Sequence, residues 1–442
     1  MTESLARFGG TPVVDRDTLS ASFGRWPDVR DEDLEAVCDV LRARRSPYGF
    51  LHPSVLKFQR AYARHVGGHP TLALSSGTAA LHLSLLALDL PAGTEVITSA
   101  LGYVASAAAI LHAGLEPVFV DIDPATYNLC PAAVERAMSA RSSALVAVDL
   151  LGLPADYDAL MALGLPVVAD ASQSQGARYG GRPVGALGTV SAASLMATKN
   201  LPSAGEGGVL ATSDPDIARR ARAHASLGMD LWRPDGPSPV AHQLGFNYRP
   251  TPVSMAFAEQ QLDRLEGYHR ARTERALRFG AGIADIDFLA APHVPDDRDH
   301  AYLMYRLRVC PERVGLSAAD AIHLRDAFVF LVRAEGGLAG FWEETLLPDM
   351  PLFARRDGRV GPTEWPEARA ALDSTFYAAV TTATHPQALI DGQIAAYRKV
   401  AAHVDVVVDL ARSIRDAGGF ARWSGFTIRN EAGLRGRVLQ FC

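Results

Sequence analysis

Lysine is almost missing from this chain. Among the 43 basic residues of its 442, lysine occurs only at Lys57, Lys199 and Lys399, and the other 40 are arginine. Arginine therefore supplies the general surface charge. An arginine cannot shed its proton and attack a carbonyl, whereas a lysine can. Cysteine is scarce as well. Cys38, Cys130, Cys310 and Cys442 are scattered without a CxxC pair, which argues against a disulfide scaffold or a structural zinc site and fits a reducing cytoplasm. No metal site is expected. No uninterrupted apolar run is long enough to span a bilayer. The opening residues MTESLARFGG lack the basic and apolar regions of a signal peptide. An excess of positive charge is missing too: 49 acidic residues against 43 basic ones give a net charge of -6, so no footprint for nucleic acid or an anionic membrane is visible.

What is present is an ordinary globular mixture, 48% hydrophobic and 21% charged. The length points to two domains, or one large α/β unit with a smaller companion. Residues 1–30 read as an N-terminal arm. Helical spacing follows at 31–45 and 55–67. From 71 to about 212, short apolar runs alternate with helical stretches: TLAL, EVIT at 95–98, PVFVDI at 117–122, ALVAVDLL at 144–151, PVVADA at 166–171 and GVLAT at 208–212. Strands apolar on both faces and separated by helices predict a mostly parallel sheet covered on both sides. Such sheets place ligands beyond the carboxyl ends of their strands. The pattern at 262–283 predicts a long helix able to bridge two domains, and strand and helix signals after it predict a smaller α+β domain. The expected organisation is an arm at 1–30, a large domain at 31–265, a small domain at 266–417 and a tail at 418–442. The segment 340–375 fits no element.

Three segments carry chemistry. In SSGTAALHLSLLAL at 75–88, a strand runs into Ser75-Ser76-Gly77-Thr78 and then a helix. Free N–H groups at a helix start, beside hydroxyls and a glycine, can cradle an anion; an ordinary capped helix reads the same way. In LPVVADASQSQGA at 165–177, a strand ends at Asp170, whose carboxylate can hold a cationic ring nitrogen or simply cap a helix. In VSAASLMATKNLPSAGEGG, Lys199 lies between small apolar residues and a glycine-rich turn. An apolar setting favours the neutral amine, which condenses with aldehydes; a plain loop lysine is the alternative. Lys57 and Lys399 lie in polar helical contexts. An anion cradle, a carboxylate for a ring nitrogen and a lysine for an aldehyde are the three points at which a protein grips pyridoxal 5'-phosphate. They occur in that order within one α/β unit, with Asp170 and Lys199 29 positions apart.

The stretches SSGTAAL, GLEPVFVDIDPATYNL, LLGLPADYDAL, ADASQSQGA, TKNLPSAGEGG and LGFNYRPTPVSMAFAEQQLDRLE resemble the DegT/DnrJ/EryC1/StrS family of sugar and cyclitol aminotransferases. The resemblance runs from about residue 5 to about 410. FGGTPV and Trp26-Pro27 resemble the cyclitol-side members, among them the scyllo-inosose aminotransferases and aminohydroxybenzoate synthases. The resemblance implies a fold-type I pyridoxal-phosphate transferase and a homodimer with shared active sites. Its substrates would be a small-molecule amino donor, glutamate or glutamine, and a keto-sugar or ketocyclitol acceptor.

By the same resemblance, Lys199 would hold the cofactor aldehyde and then carry the proton. Asp170 would pair with the ring nitrogen and Gln173 would lie by the ring hydroxyl. Ser76, Gly77, Thr78 and Ser194 would contact the phosphate. Tyr103 would stack on the ring, and Asn247 would reach across to the neighbouring protomer's phosphate. Three positions depart from the family pattern: Ala169 where an acid is usual, Asp149 where a histidine is common, and Ser194-Leu195-Met196 in place of an aromatic-rich run. They leave open a non-transaminating reaction on the same fold, by dehydration, elimination or carbon–carbon or carbon–nitrogen bond formation. A cofactor-binding regulator with little turnover is the rival of another class. A dinucleotide-dependent dehydrogenase fails because no GxGxxG follows the first strand.

Overall fold

In the computed structural model, the described residues are 4–22, 26–43, 49–229, 240–353 and 365–420. Residues 421–442, most of the expected tail, lie outside them. Seven strands build the larger sheet: β1 (Thr71–Leu74), β2 (Glu95–Ser99), β3 (Glu116–Val120), β4 (Ser142–Val148), β5 (Val167–Asp170), β6 (Val190–Ser194) and β7 (Gly208–Ala211). Their order is β1-β7-β6-β5-β4-β2-β3. Strands β2 to β6 are parallel to their sheet neighbours among themselves, and β7 runs against both β6 and β1. The chain thus has the fold-type I transferase architecture, a mostly parallel sheet between helices.

The alternation of side chains explains why these strands read as unbroken apolar runs. Ile97, Leu145, Val167 and Ala169 enter one core, with Phe58 and Tyr62. Val96, Val146, Val168 and Val190 enter the other, with Leu81, Leu83 and Ile110. Both faces are dry, so nothing polar is needed at alternate positions. The helix Gly77–Ala87 is apolar all round for the same reason and is buried along most of its length.

Strand β6 is absent from the sequence-read strands. VSAAS is small and half polar, yet it lies buried between β5 and β7, where only small side chains fit beneath the helix Gly77–Ala87. The apolar run at 144–151 is shorter as a strand than it reads. It stops at Val148, and Leu150–Gly152 makes a turn in which Leu151 and Gly152 take φ of 55° and 111°.

The long helix Pro252–Gly282 begins ten positions before the sequence pattern. Thr251 caps it by accepting from the Ser254 N–H, and Pro252 occupies the first turn, where a missing N–H costs nothing. Its 31 residues span roughly 46 Å. Met255, Leu262 and Leu265 pack in the core of the large sheet, and Ala276 and Phe279 in a second core. That second core covers a four-stranded antiparallel sheet formed by β8 (Leu289–Ala290), β9 (Tyr305–Val309), β10 (Ala339–Gly340) and β11 (Thr375–Ala378), in the order β8-β9-β11-β10. The sequence boundary at 265 falls inside the long helix. The helical pattern near 386–415 is two helices, Gln387–Ala401 and Val404–Asp416. Among the described residues no helix is long and apolar enough to cross a membrane.

Candidate active site

Parallel strands deliver their carboxyl ends to one edge. Ser75 follows β1, Asp149 follows β4, Asp170 ends β5 and Ser194 ends β6, while the antiparallel β7 begins there with Gly208. The residues marked in the sequence as cradle, carboxylate and lysine segment therefore meet at one rim.

At the cradle, Ser76 caps the helix Gly77–Ala87, its hydroxyl accepting from the Ala79 N–H at 3.1 Å. The N–H groups of Gly77 and Thr78 have no acceptor within the helix and face an anion-favouring dipole. Two glycines allow the approach. A Cβ on Gly77 would stand 2.6 Å from the Ser194 Cβ, and one on Gly208 would stand 2.1 Å from the Ser76 carbonyl oxygen. Ser194 is thereby pressed against the helix start, and its N–H donates to the Ser172 hydroxyl at 3.0 Å.

Asp170 is buried and held by two donors. The Ser106 hydroxyl donates to Oδ2 at 2.7 Å, and the Ser172 N–H donates to Oδ1 at 3.1 Å. Ser106 carries little signal in the sequence. It is a lone hydroxyl in the apolar helix Val104–His112, three residues after Tyr103. Gln173 is buried three residues after Asp170, and its Oε1 accepts from the Leu151 N–H at 2.6 Å.

Lys199 sits half-buried in the turn after β6, its N–H donating to the Met196 carbonyl at 2.8 Å. The Trp26 indole N–H donates to the Lys199 carbonyl at 3.2 Å. Lys199 Nζ lies 5.3 Å from the centre of the Trp342 ring, and Tyr103 meets that indole edge-on at 6.4 Å between centres. Trp342 belongs to the stretch that fits no element in the sequence. Tyr103 is 52% exposed. Asn247 is exposed, and its Oδ1 accepts from Arg249 Nε at 2.7 Å. The carbonyl of the next residue, Tyr248, accepts from the Ser75 N–H at 3.0 Å, so Asn247 neighbours the cradle of its own chain.

The other two lysines are engaged elsewhere: Lys57 bonds Glu259 at 2.9 Å and Lys399 bonds Glu335 at 3.0 Å. Among the described residues no cluster of His, Cys, Asp and Glu could hold a metal ion.

Two of the departures from the family pattern do not line the rim. Ala169 faces the core. Asp149 is fully buried beneath the turns, with Oδ1 accepting from the Ala155 N–H at 2.9 Å and the Tyr157 hydroxyl at 2.8 Å. Its Oδ2 accepts from the Ser174 hydroxyl at 2.5 Å. Burial pushes the Asp149 carboxyl up to about 7, despite these three donors. An unfolded aspartate titrates near about 4. The folded state therefore binds this proton more tightly, and the contribution to stability is full below the unfolded value and lost as pH rises through about 7. Asp149→Asn should gain stability relative to the parent as pH rises across this window, read from urea midpoints. A constant difference would contradict a buried, proton-holding carboxyl.

The residues present fit pyridoxal phosphate: first-turn N–H groups of Gly77 and Thr78 with no acceptor in the helix, an oriented carboxylate, and a lysine in a turn on the same rim. Ser203 Oγ, in that turn, is buried without a partner.

Comparison with known proteins shows the family. Residues 27–333 match the DegT/DnrJ/EryC1/StrS aminotransferase family. The chain is 32% identical over 427 residues to the L-glutamine:scyllo-inosose aminotransferase of Streptomyces griseus, covering 90% of this chain and 98% of that one. It is 33% identical over 311 residues to the spore coat polysaccharide biosynthesis protein SpsC of Bacillus subtilis (strain 168), covering 67% and 78%. Among solved structures, S. venezuelae DesV superposes with a TM-score of 0.76 at 28% identity, covering 88% of this chain and 98% of that one.

Proposed function

The chain belongs to the DegT/DnrJ/EryC1/StrS aminotransferase family, and from that premise we propose that it uses pyridoxal phosphate to move an amino group from glutamine or glutamate to a ketocyclitol or keto-sugar. The observation that carries this is the meeting of Ser76-Gly77-Thr78, Asp170 and Lys199 at one sheet edge. The likeness to an L-glutamine:scyllo-inosose aminotransferase over nearly the whole chain favours glutamine and a cyclitol within that class.

Bound pyridoxal phosphate supplies an aldehyde for amines and a ring that accepts electrons from the carbon beside the nitrogen. The chain's residues do the rest. The first-turn N–H groups of Gly77 and Thr78, with the hydroxyls of Ser76 and Ser194, would hold the phosphate. Asp170, aimed by Ser106 and the Ser172 N–H, would hold the proton on the ring nitrogen. Gln173 would face the ring hydroxyl and Tyr103 the ring. Lys199 Nζ would hold the aldehyde, then take the proton from the donor's α-carbon and return it to the cofactor's aldehyde carbon. Residues 31–265 would carry the cofactor and 266–417 would close the acceptor side.

Two copies would complete the site, their cradles side by side across the interface so that the exposed Asn247 beside one reaches the phosphate held in the other. Size-exclusion chromatography with light scattering should give a dimer; a stable, active monomer would contradict this.

The test of the acceptor is amino transfer from L-glutamine to scyllo-inosose, read by mass spectrometry of the product. A new amine supports the proposal. An amine formed only from keto-sugars changes the acceptor, and a dehydrated or eliminated product in place of an amine selects the non-transaminating rival.

A further inference from the structure

Resting on the reading of Lys199 as the cofactor lysine, we propose that Trp342 is a positioning residue that holds the protonated Lys199 amine on its ring face between proton pick-up and return. The observation is the 5.3 Å separation of Nζ from the indole centre, inside the range at which an aromatic face attracts an ammonium. Indole is the strongest of the three aromatic side chains for this contact.

The placement is built rather than incidental. Trp342 follows β10 of the smaller sheet, and both of its neighbours are tied down. On one side the Phe341 carbonyl accepts from the Tyr377 hydroxyl at 3.1 Å, and the Arg325 guanidinium covers the Phe341 ring at 4.5 Å. On the other side Glu343 pairs with Arg306 at 2.8 Å, with side chains only 11% and 6% exposed. Arg306 in turn lies over the Tyr127 ring at 4.9 Å. Tyr103 closes the corner edge-on against the indole. Flanks tied down in this way hold the Trp342 backbone, and Tyr103 packs against its ring, so less freedom is lost when the indole receives a cation.

This gives the smaller sheet a part in the chemistry. On that reading, the Lys199 side chain would have to carry one proton from the donor carbon without leaving the rim. A lysine free to swing into water would sample many rotamers. The indole face offers the ammonium a fixed resting place at that rim. No bond is made or broken at Trp342; the proton stays on Nζ until it is returned.

The scarcity of lysine makes the test direct. Reductive ¹³C-methylation labels only Lys57, Lys199, Lys399 and the amino terminus, and the Lys199 signal is identified by its loss in Lys199→Arg. In the protein without cofactor, the labelled Lys199 methyls should be shifted upfield by the indole ring. That shift should vanish in Trp342→Leu and persist in part in Trp342→Phe. With cofactor, kcat for the donor half-reaction of unlabelled protein should fall about two- to tenfold in Trp342→Leu, with partial rescue by phenylalanine and little change in KM. Unchanged Lys57 and Lys399 signals report an intact fold; if the leucine variant does not fold, the phenylalanine variant carries both comparisons. A Lys199 shift that survives removal of the ring overturns the proposal. So does a lost shift with unaltered kcat. If no form of the protein reacts with any donor, the proposed function fails separately, and the shift still decides whether the indole holds the amine.

Discussion

Lys199→Ala is expected to lose the visible absorbance of lysine-bound pyridoxal phosphate and at least about a thousandfold in turnover, since on the proposed function one side chain would serve as both covalent holder and proton carrier. The fold should survive. Lys199 is half-buried in a turn whose backbone bonds, through its own N–H and carbonyl, do not depend on the side chain. Lys199→Arg should give no rescue, because the guanidinium keeps its proton and cannot condense with an aldehyde. The check is an absorbance scan beside a urea midpoint. Persistence of the band would move the assignment to Lys57 or Lys399. Each of those would have to leave a carboxylate, Glu259 or Glu335.

Asp170→Asn is the second large effect. The amide keeps the shape, and its oxygen can still accept one of the two hydrogen bonds from Ser106 and the Ser172 N–H, so the rim should stay in place. What disappears is the negative charge that would face the ring nitrogen. A hydrogen bond to a charged partner is worth roughly 1.5–3 kcal/mol, and about 1.4 kcal/mol is tenfold in rate, so turnover should fall about ten- to a hundredfold. Steady-state kcat measures it. A variant with unaltered kcat would mean that Asp170 serves only to bind Ser106. Ser106→Ala should show a smaller loss in the same direction.

Much of this site is legible in the sequence because its parts are local. A strand that stops at Ser75-Ser76-Gly77-Thr78 and one that stops at Asp170 place their last residues at the same edge once the strands are parallel. Glycine at 77 reads in the sequence as part of an anion cradle; what the structure shows there is the close approach of Ser194, whose Cβ a Cβ on Gly77 would meet at 2.6 Å. Strand β6 escapes such a reading because its small side chains carry no apolar signal of their own; tertiary burial makes VSAAS a strand. Ser106 lies 64 positions from the carboxylate it aims, and Trp342 lies 143 positions from Lys199. Contacts of that separation leave no local pattern. Trp342 also follows a strand of only two residues, Ala339–Gly340, too short to register as a period. Asp149 is visible as an oddity, but only the three donors around it show that it braces the turns below the rim instead of facing a substrate.

This rim is proposed to bind pyridoxal phosphate through Lys199 and to take an amino group from a donor. One absorbance experiment tests it most directly: purified protein with pyridoxal phosphate, scanned before and after excess L-glutamine or L-glutamate, with Lys199→Ala beside it. The expected result is a lysine-dependent visible band that is lost on adding donor, with pyridoxamine phosphate and a 2-oxo acid formed. No band, or a band in the parent that ignores both donors and a wider set of amino acids, would contradict it.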